Sequence, residues 1–119
     1  MFSIIIPTLL KSEEILNKLL AELASDDSVG EILVIDNSLK GFSNVSSKVR
    51  VLIPNENLFV NPSWNFGIKE AKYEYFGILN DDLLLPENLC TETLKFLKET
   101  ETTGLVGLDP KAVKGVGIN

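Results

Sequence analysis

Histidine is absent from this chain of 119 residues. That removes histidine acid-base catalysis, a Ser/His/Asp triad and every histidine-containing zinc site from consideration, so any general base must be a carboxylate or a rarer group. Cys90 is the only cysteine; no intrachain disulfide can form, and a reducing, cytoplasmic compartment is the expected setting. Cys90 sits beside Leu89 in a helical pattern, the context of a buried, unreactive thiol. No basic leader followed by an apolar stretch and a small-residue cleavage site opens the chain, and no apolar run approaches the ~18 residues of a membrane span. Clustered positive charge is missing too. The 11 Lys and Arg are scattered, and with 17 Asp and Glu the net charge is −6, which argues against a nucleic-acid partner. Hydrophobic content of 45% and charged content of 24% are those of a folded globular protein, and the length predicts one domain over residues 1–119.

The most informative stretch present is Tyr75-Phe76-Gly77-Ile78-Leu79-Asn80-Asp81-Asp82, an apolar run that stops on two adjacent carboxylates. The run reads as a buried strand, Tyr75 to Leu79, whose carboxyl end carries the acids. Open α/β sheets bind ligands at that end. Two adjoining aspartates make a hard, oxygen-rich anionic site suited to Mg²⁺ or Mn²⁺ shared with a diphosphate. The plainer reading of the same residues is a helix cap beside a solvated side chain.

Along the chain, strands are predicted at Phe2 to Ile6, ended by Pro7-Thr8; at Glu31 to Ile35, closing on Asp36-Asn37-Ser38; and at Val49 to Ile53, closing on Pro54-Asn55. A last short strand is expected at Gly104 to Leu108. Ser12 caps a first helix that begins with Glu13-Glu14, carries Ile15, Leu16, Leu19, Leu20 and Leu23 at helical spacing, and ends near Ser25-Asp26. Lys40 to Ser47 reads as a polar loop. Asn61-Pro62 predicts a cap and a first-position proline for a helix through Ala71, and Pro86-Glu87 opens another, with Leu89, Thr93, Leu94 and Leu97 on its apolar stripe. This alternation predicts an α/β fold: a mainly parallel, Rossmann-like sheet with helices on both faces. The polar strand ends would then share one rim.

In this order and spacing, Ser3-Ile4-Ile5-Ile6-Pro7-Thr8, Ile32-Leu33-Val34-Ile35-Asp36-Asn37-Ser38, Asn57-Leu58, Trp64-Asn65-Phe66-Gly67-Ile68 and Asn80-Asp81-Asp82 resemble the amino-terminal half of an inverting family 2 glycosyltransferase of the GT-A fold. The resemblance covers nearly the whole chain. It implies a donor site for a UDP-, GDP- or dTDP-linked sugar built from Pro7, Thr8, Asp36, Asn37, Asn65 and Asp81, with Thr8 near the nucleoside, Asp36 and Asn37 at the base edge and Asp81 on the ribose. Asp82 would hold Mn²⁺ or Mg²⁺ on the diphosphate, and the sugar would pass to an acceptor hydroxyl with inversion. The plainer readings are a strand-ending turn at Thr8, an Asx turn at Asp36-Asn37, and for Trp64 a large side chain filling the helix-sheet interface.

The chain also departs from the family. Leu9-Leu10 stand where an aromatic often follows Pro-Thr, and Phe59, Asn61 and Pro62 stand where relatives are commonly glycine-rich or basic. Asn80 replaces an acid often found at the head of the acidic motif. The catalytic base and acceptor pocket of relatives lie further along than Asn119, and no residue here is identified as the base. A catalytically silent nucleotide-sugar-binding or assembly module is therefore the competing expectation, and unpaired sheet edges could join chains into a homo-oligomer.

Overall fold

Phe2–Thr8 forms the first strand, β1, and every one of its side chains is buried. A strand with no polar side fits only where both faces of a sheet are covered. The computed structural model describes residues 1–44, 46–83, 85 and 89–99. In it β1 is followed by α1 (Glu13–Ala24), β2 (Val29–Asp36), β3 (Val49–Leu52), α2 (Val60–Glu70), β4 (Tyr75–Ile78) and α3 (Leu89–Glu99). The strands make one sheet in the order β3-β2-β1-β4, and every pairing is parallel. The expected α/β class is the observed one. The start expected for α3 at Pro86-Glu87 and the strand expected at Gly104 to Leu108 lie outside the described residues. No helix among the described residues is long and apolar enough to cross a membrane.

The two-residue period of β1 divides the core. Ile4 and Ile6, level with Ile32 and Val34 of β2, face Leu16, Leu19, Leu20 and Leu23 of α1 and Leu94 of α3. Ile5, with Leu33 and Ile35, faces the opposite way and meets Trp64 and Phe66 of α2. Trp64 thus fills the helix-sheet interface, the plainer of its two readings. The Ser12 hydroxyl accepts from the Ile15 amide at 3.3 Å, as the sequence predicts for the α1 cap. Phe42 is buried against the α1 face, so the segment expected to be a polar loop contributes one plug to the core.

Two boundaries differ from the sequence expectation, each for a tertiary reason. β1 runs on through Pro7-Thr8 instead of stopping at Ile6. The Phe2 amide and the Thr8 carbonyl bond towards β2, whereas the Ile5 carbonyl accepts from Leu79 beyond β4. Alternation along the strand therefore turns the Pro7 nitrogen towards β4, where its missing donor ends that ladder while pairing with β2 continues to Asp36. α2 begins at Val60, with Phe59 rather than Asn61 at the cap position. No side chain caps α2; Asn37 instead fixes the chain just before it, its Nδ2 donating to the Phe59 carbonyl at 3.3 Å and its Oδ1 accepting from the Leu58 amide at 3.1 Å. Pro62 becomes the third helical residue, still among the four positions whose amides have no helical acceptor.

At the opposite, amino-terminal end of the sheet, Ser3 donates to Glu31 Oε2 at 2.6 Å and accepts from the Tyr73 amide at 3.1 Å. The Lys72 amide donates to the same Glu31 oxygen. This buried pair fixes the turn between α2 and β4.

Candidate functional site

The register of the sheet assembles the candidate site. Thr8 lies level with Asp36 in the β1-β2 ladder, and the 73-residue offset that pairs Phe2 with Tyr75 also brings Asp81 level with Thr8. The Thr8 hydroxyl donates to Asp81 Oδ2 at 2.7 Å and accepts from the Leu10 amide at 3.0 Å. Because the β1-β4 ladder has already ended at Pro7, the Asp81 side chain rather than its backbone meets β1. Asp82 beside it is exposed, and no hydrogen bond or ion pair engages it among the described residues.

Asp36 is fully buried and organises the loop that follows β2. Its Oδ1 accepts from the Ser38 amide and hydroxyl, and its Oδ2 accepts from the amides of Gly41 and Phe42 at 2.9 and 3.0 Å. Asn37, also buried, takes the Thr8 carbonyl with its backbone amide at 2.9 Å and donates from Nδ2 to Ser63 Oγ at 2.8 Å. One connected chain of hydrogen bonds therefore runs from Asp81 through Thr8 and Asn37 to the first turn of α2. Ser63 was missed in the sequence. Its signal was a small polar residue four positions before Gly67, on the side of α2 that faces the sheet. Pro7 is buried in β1. Asn65 is exposed and lines a shallow groove with Leu58, Pro62 and Lys69. Two residues from Gly67, it lies on the far side of α2, so the structure does not bring it to the Thr8-Asp81 pair.

Burial alone pushes the Asp36 carboxyl up, but the hydrogen bonds from Ser38, Gly41 and Phe42 outweigh it and hold the carboxyl below its ordinary value. Asp26 behaves alike: burial raises it, and bonds from Ser28 and Thr91 bring it lower. Both groups contribute stability that is complete above the unfolded-state pKa and lost as pH falls through the lowered folded values. Denaturant unfolding followed from about pH 6 to about pH 2 should show stability falling below about pH 4, less steeply in Asp26→Asn. An equal slope in the variant would mean that these bonds do not favour the ionised form. Cys90 is raised to about 11, first by burial and then by the Asp26 charge, so at neutral pH it is a thiol and a poor nucleophile.

A divalent cation is implied by the family resemblance, and the donor set fits one. An exposed carboxylate beside a second that is held by one hydrogen bond offers oxygens alone, the arrangement of a hard cation bound by one or two carboxylates together with substrate phosphates. No third acidic or cysteine side chain joins them among the described residues.

Residues 3–112 match the profile of glycosyl transferase family 2. No curated protein matches the sequence. Among solved structures, S. aureus TarS 1–349 in complex with UDP-GlcNAc superposes with a TM-score of 0.66 at 22% identity, covering 84% of this chain and 32% of that one. A longer S. aureus TarS structure gives 0.60 at 24% identity, covering 82% and 19%. At these identities the likeness concerns the fold, and the chain spans about a third of the shorter TarS structure. The profile match extends over almost the whole sequence, on a parallel sheet whose strand ends carry the matched motifs, and the chain belongs to glycosyl transferase family 2.

Proposed function

We propose that the carboxyl rim of this sheet binds the nucleoside diphosphate of an activated sugar, as the donor-binding unit of a glycosyltransferase acting on an acceptor hydroxyl. The observation that carries this reading is the 2.7 Å bond from Thr8 to Asp81. It fixes one carboxylate at the sheet mouth and leaves its neighbour, Asp82, free to face a ligand. Asp81, held by one oxygen, has its other available to a ribose hydroxyl. Asp82 would hold the cation, with the diphosphate completing its shell. A cation bound there would neutralise the charge that grows on the departing nucleoside diphosphate. Asp36 and Asn37 already use their polar side-chain atoms within the chain. In this reading they hold the walls that a base would meet, rather than offering it free lone pairs.

Inversion requires a base on the far side of the sugar from the leaving group. Of the described residues after Asp82, Glu92 and Glu99 are the only carboxylates, and both are exposed on α3. A second reading is a unit that binds the donor and takes its acceptor site from elsewhere. The nucleotide site is common to both.

Calorimetric titration of UDP and GDP, with and without Mn²⁺, tests it. Binding should require the cation, and Asp82→Ala should weaken it by at least about tenfold, equivalent to about 1.4 kcal/mol. Absence of binding to either nucleotide by the folded protein would remove the donor-site reading and leave the fold assignment untouched.

A further inference from the structure

Phe59 combines two properties that rarely go together. Its backbone is held at φ 60°, ψ −157°, a region that glycine occupies freely and a bulky residue does not. The residue is 72% exposed, more than any other large hydrophobic residue described. Burial among the described residues therefore does not explain why an aromatic ring stands there.

The backbone around the ring is held tightly. The Phe59 amide donates to Asn57 Oδ1 at 2.8 Å, and its carbonyl accepts from Asn37 Nδ2 at 3.3 Å and from the Ser63 hydroxyl. The adjoining Leu58 amide is held by Asn37 Oδ1 at 3.1 Å. Among the described residues, the non-glycine residues with positive φ are Leu10, Leu39 and Phe59, and they lie in the loops that follow β1, β2 and β3 in turn. Strained backbone is thus concentrated on the rim that carries Thr8 and Asp81, where strain marks places fixed by their surroundings for a ligand.

We infer that the Phe59 ring is the platform on which the nucleobase of the donor stacks. The inference rests on the donor-site reading and adds the residue that grips the base. Asp81, the neighbour of Asp82, and Phe59 stand at opposite ends of the hydrogen-bonded chain Asp81-Thr8-Asn37-Phe59. Two to three strand spacings, roughly 10–14 Å, separate the exit of β4 from those of β2 and β3. An extended nucleoside diphosphate bridges such a span, with its phosphates at the acids and its flat base at the ring. Leu9 and Leu10 offer no aromatic face after β1, which leaves Phe59 as the stacking surface on this rim. An aromatic face tolerates any base, so the ring sets affinity for nucleosides as a class.

The test titrates UDP with Mn²⁺, and separately pyrophosphate with Mn²⁺, into the parent protein and into Phe59→Leu, Phe59→Gly and Phe59→Trp. UDP affinity should fall roughly 5- to 30-fold in the Leu and Gly variants and stay within about twofold in the Trp variant. Pyrophosphate affinity should not change. Phe59→Gly should also melt higher than the parent, by about 3–6 °C, because the strain is relieved. Undiminished UDP binding in the Leu and Gly variants would overturn the inference while leaving the donor site standing. A parallel loss of UDP and pyrophosphate binding, or a lower melting point for Phe59→Gly, would overturn it in favour of a purely structural role. Concentration-dependent self-association abolished in the Leu and Gly variants, with UDP binding intact, would assign the ring to a second copy of the chain. A parent that binds no nucleotide would overturn the donor-site reading itself, and the inference with it.

Discussion

Asp36→Ala is expected to lower the unfolding free energy by about 3–5 kcal/mol. The carboxylate has no exposure to solvent and accepts four hydrogen bonds, from the Ser38 amide and hydroxyl and from the Gly41 and Phe42 amides. Alanine leaves those donors facing a cavity, and the loop that seats Phe42 in the core loses its fixed point. Against a typical total of about 5–15 kcal/mol, this is a large fraction of the stability of the fold. Asp36→Asn should cost nearly as much, because the amide that replaces one oxygen is itself a donor and would confront the N–H groups it needs to satisfy. Urea unfolding of both variants measures this directly. A loss below about 1 kcal/mol for alanine would mean that water reaches the vacated site and replaces the carboxylate.

Gly67→Ala is expected to destabilise by about 2–4 kcal/mol, a cost in the upper range for overpacking. A Cβ at Gly67 would lie 2.5 Å from Ile5 Cγ2 and 3.0 Å from Ile5 Cγ1. Ile5 is fully buried in an interior strand, so neither the helix nor the strand can give way without disturbing the layer between them. The clash has a single partner, which makes it separable. In an Ile5→Ala background the same substitution should cost under about 1 kcal/mol, since the γ-carbons it meets are gone. The coupling, measured by a double-mutant cycle, should then reach at least about 1 kcal/mol. Additive losses would locate the strain elsewhere, in the α2 backbone rather than at Ile5. The consequence extends to the rim, because α2 sits at the height Gly67 permits and its first turn holds the hydrogen bonds to Asn37.

What could be read in the sequence was what is decided locally or by period. The unbroken apolar run of Phe2 to Ile6 placed a doubly covered strand, and Ser12-Glu13-Glu14 marked the start of α1. The apolar runs that end in polar residues placed the rim, with Thr8, Asp36 and Asp81 on it. The misplaced boundaries were decided by partners distant in sequence. Asn61-Pro62 carries a sound local signal for a helix start, but Asn37, more than twenty positions earlier, satisfies the chain at Leu58 and Phe59 and moves the helix back. Pro7 reads as a terminator, and it does terminate one ladder. Which of the two ladders it ends depends on the side to which its nitrogen turns, and that requires the strand order. Asp36 and Asn37 were placed correctly on the rim. That their polar atoms are consumed there, by residues as far apart as Ser38 and Ser63, follows from loop geometry that composition does not contain.

The position of β1 in the sheet also sets a schedule. The strand made first is an interior one, and its two neighbours arrive far apart in time: β2 completes the β1-α1-β2 unit early, whereas β4 follows only after β3 and α2 have been made. Loop closure over so long a separation is slow and comes late. The Thr8-Asp81 bond spans 73 residues, so it cannot precede that closure. During synthesis the Asp36 loop and much of the α1 face can be in place while one edge of β1 is still unpaired and open to other strands. A nascent chain that has not yet reached Asp81 can already have a core, but the carboxylate that Thr8 is positioned to hold does not yet exist.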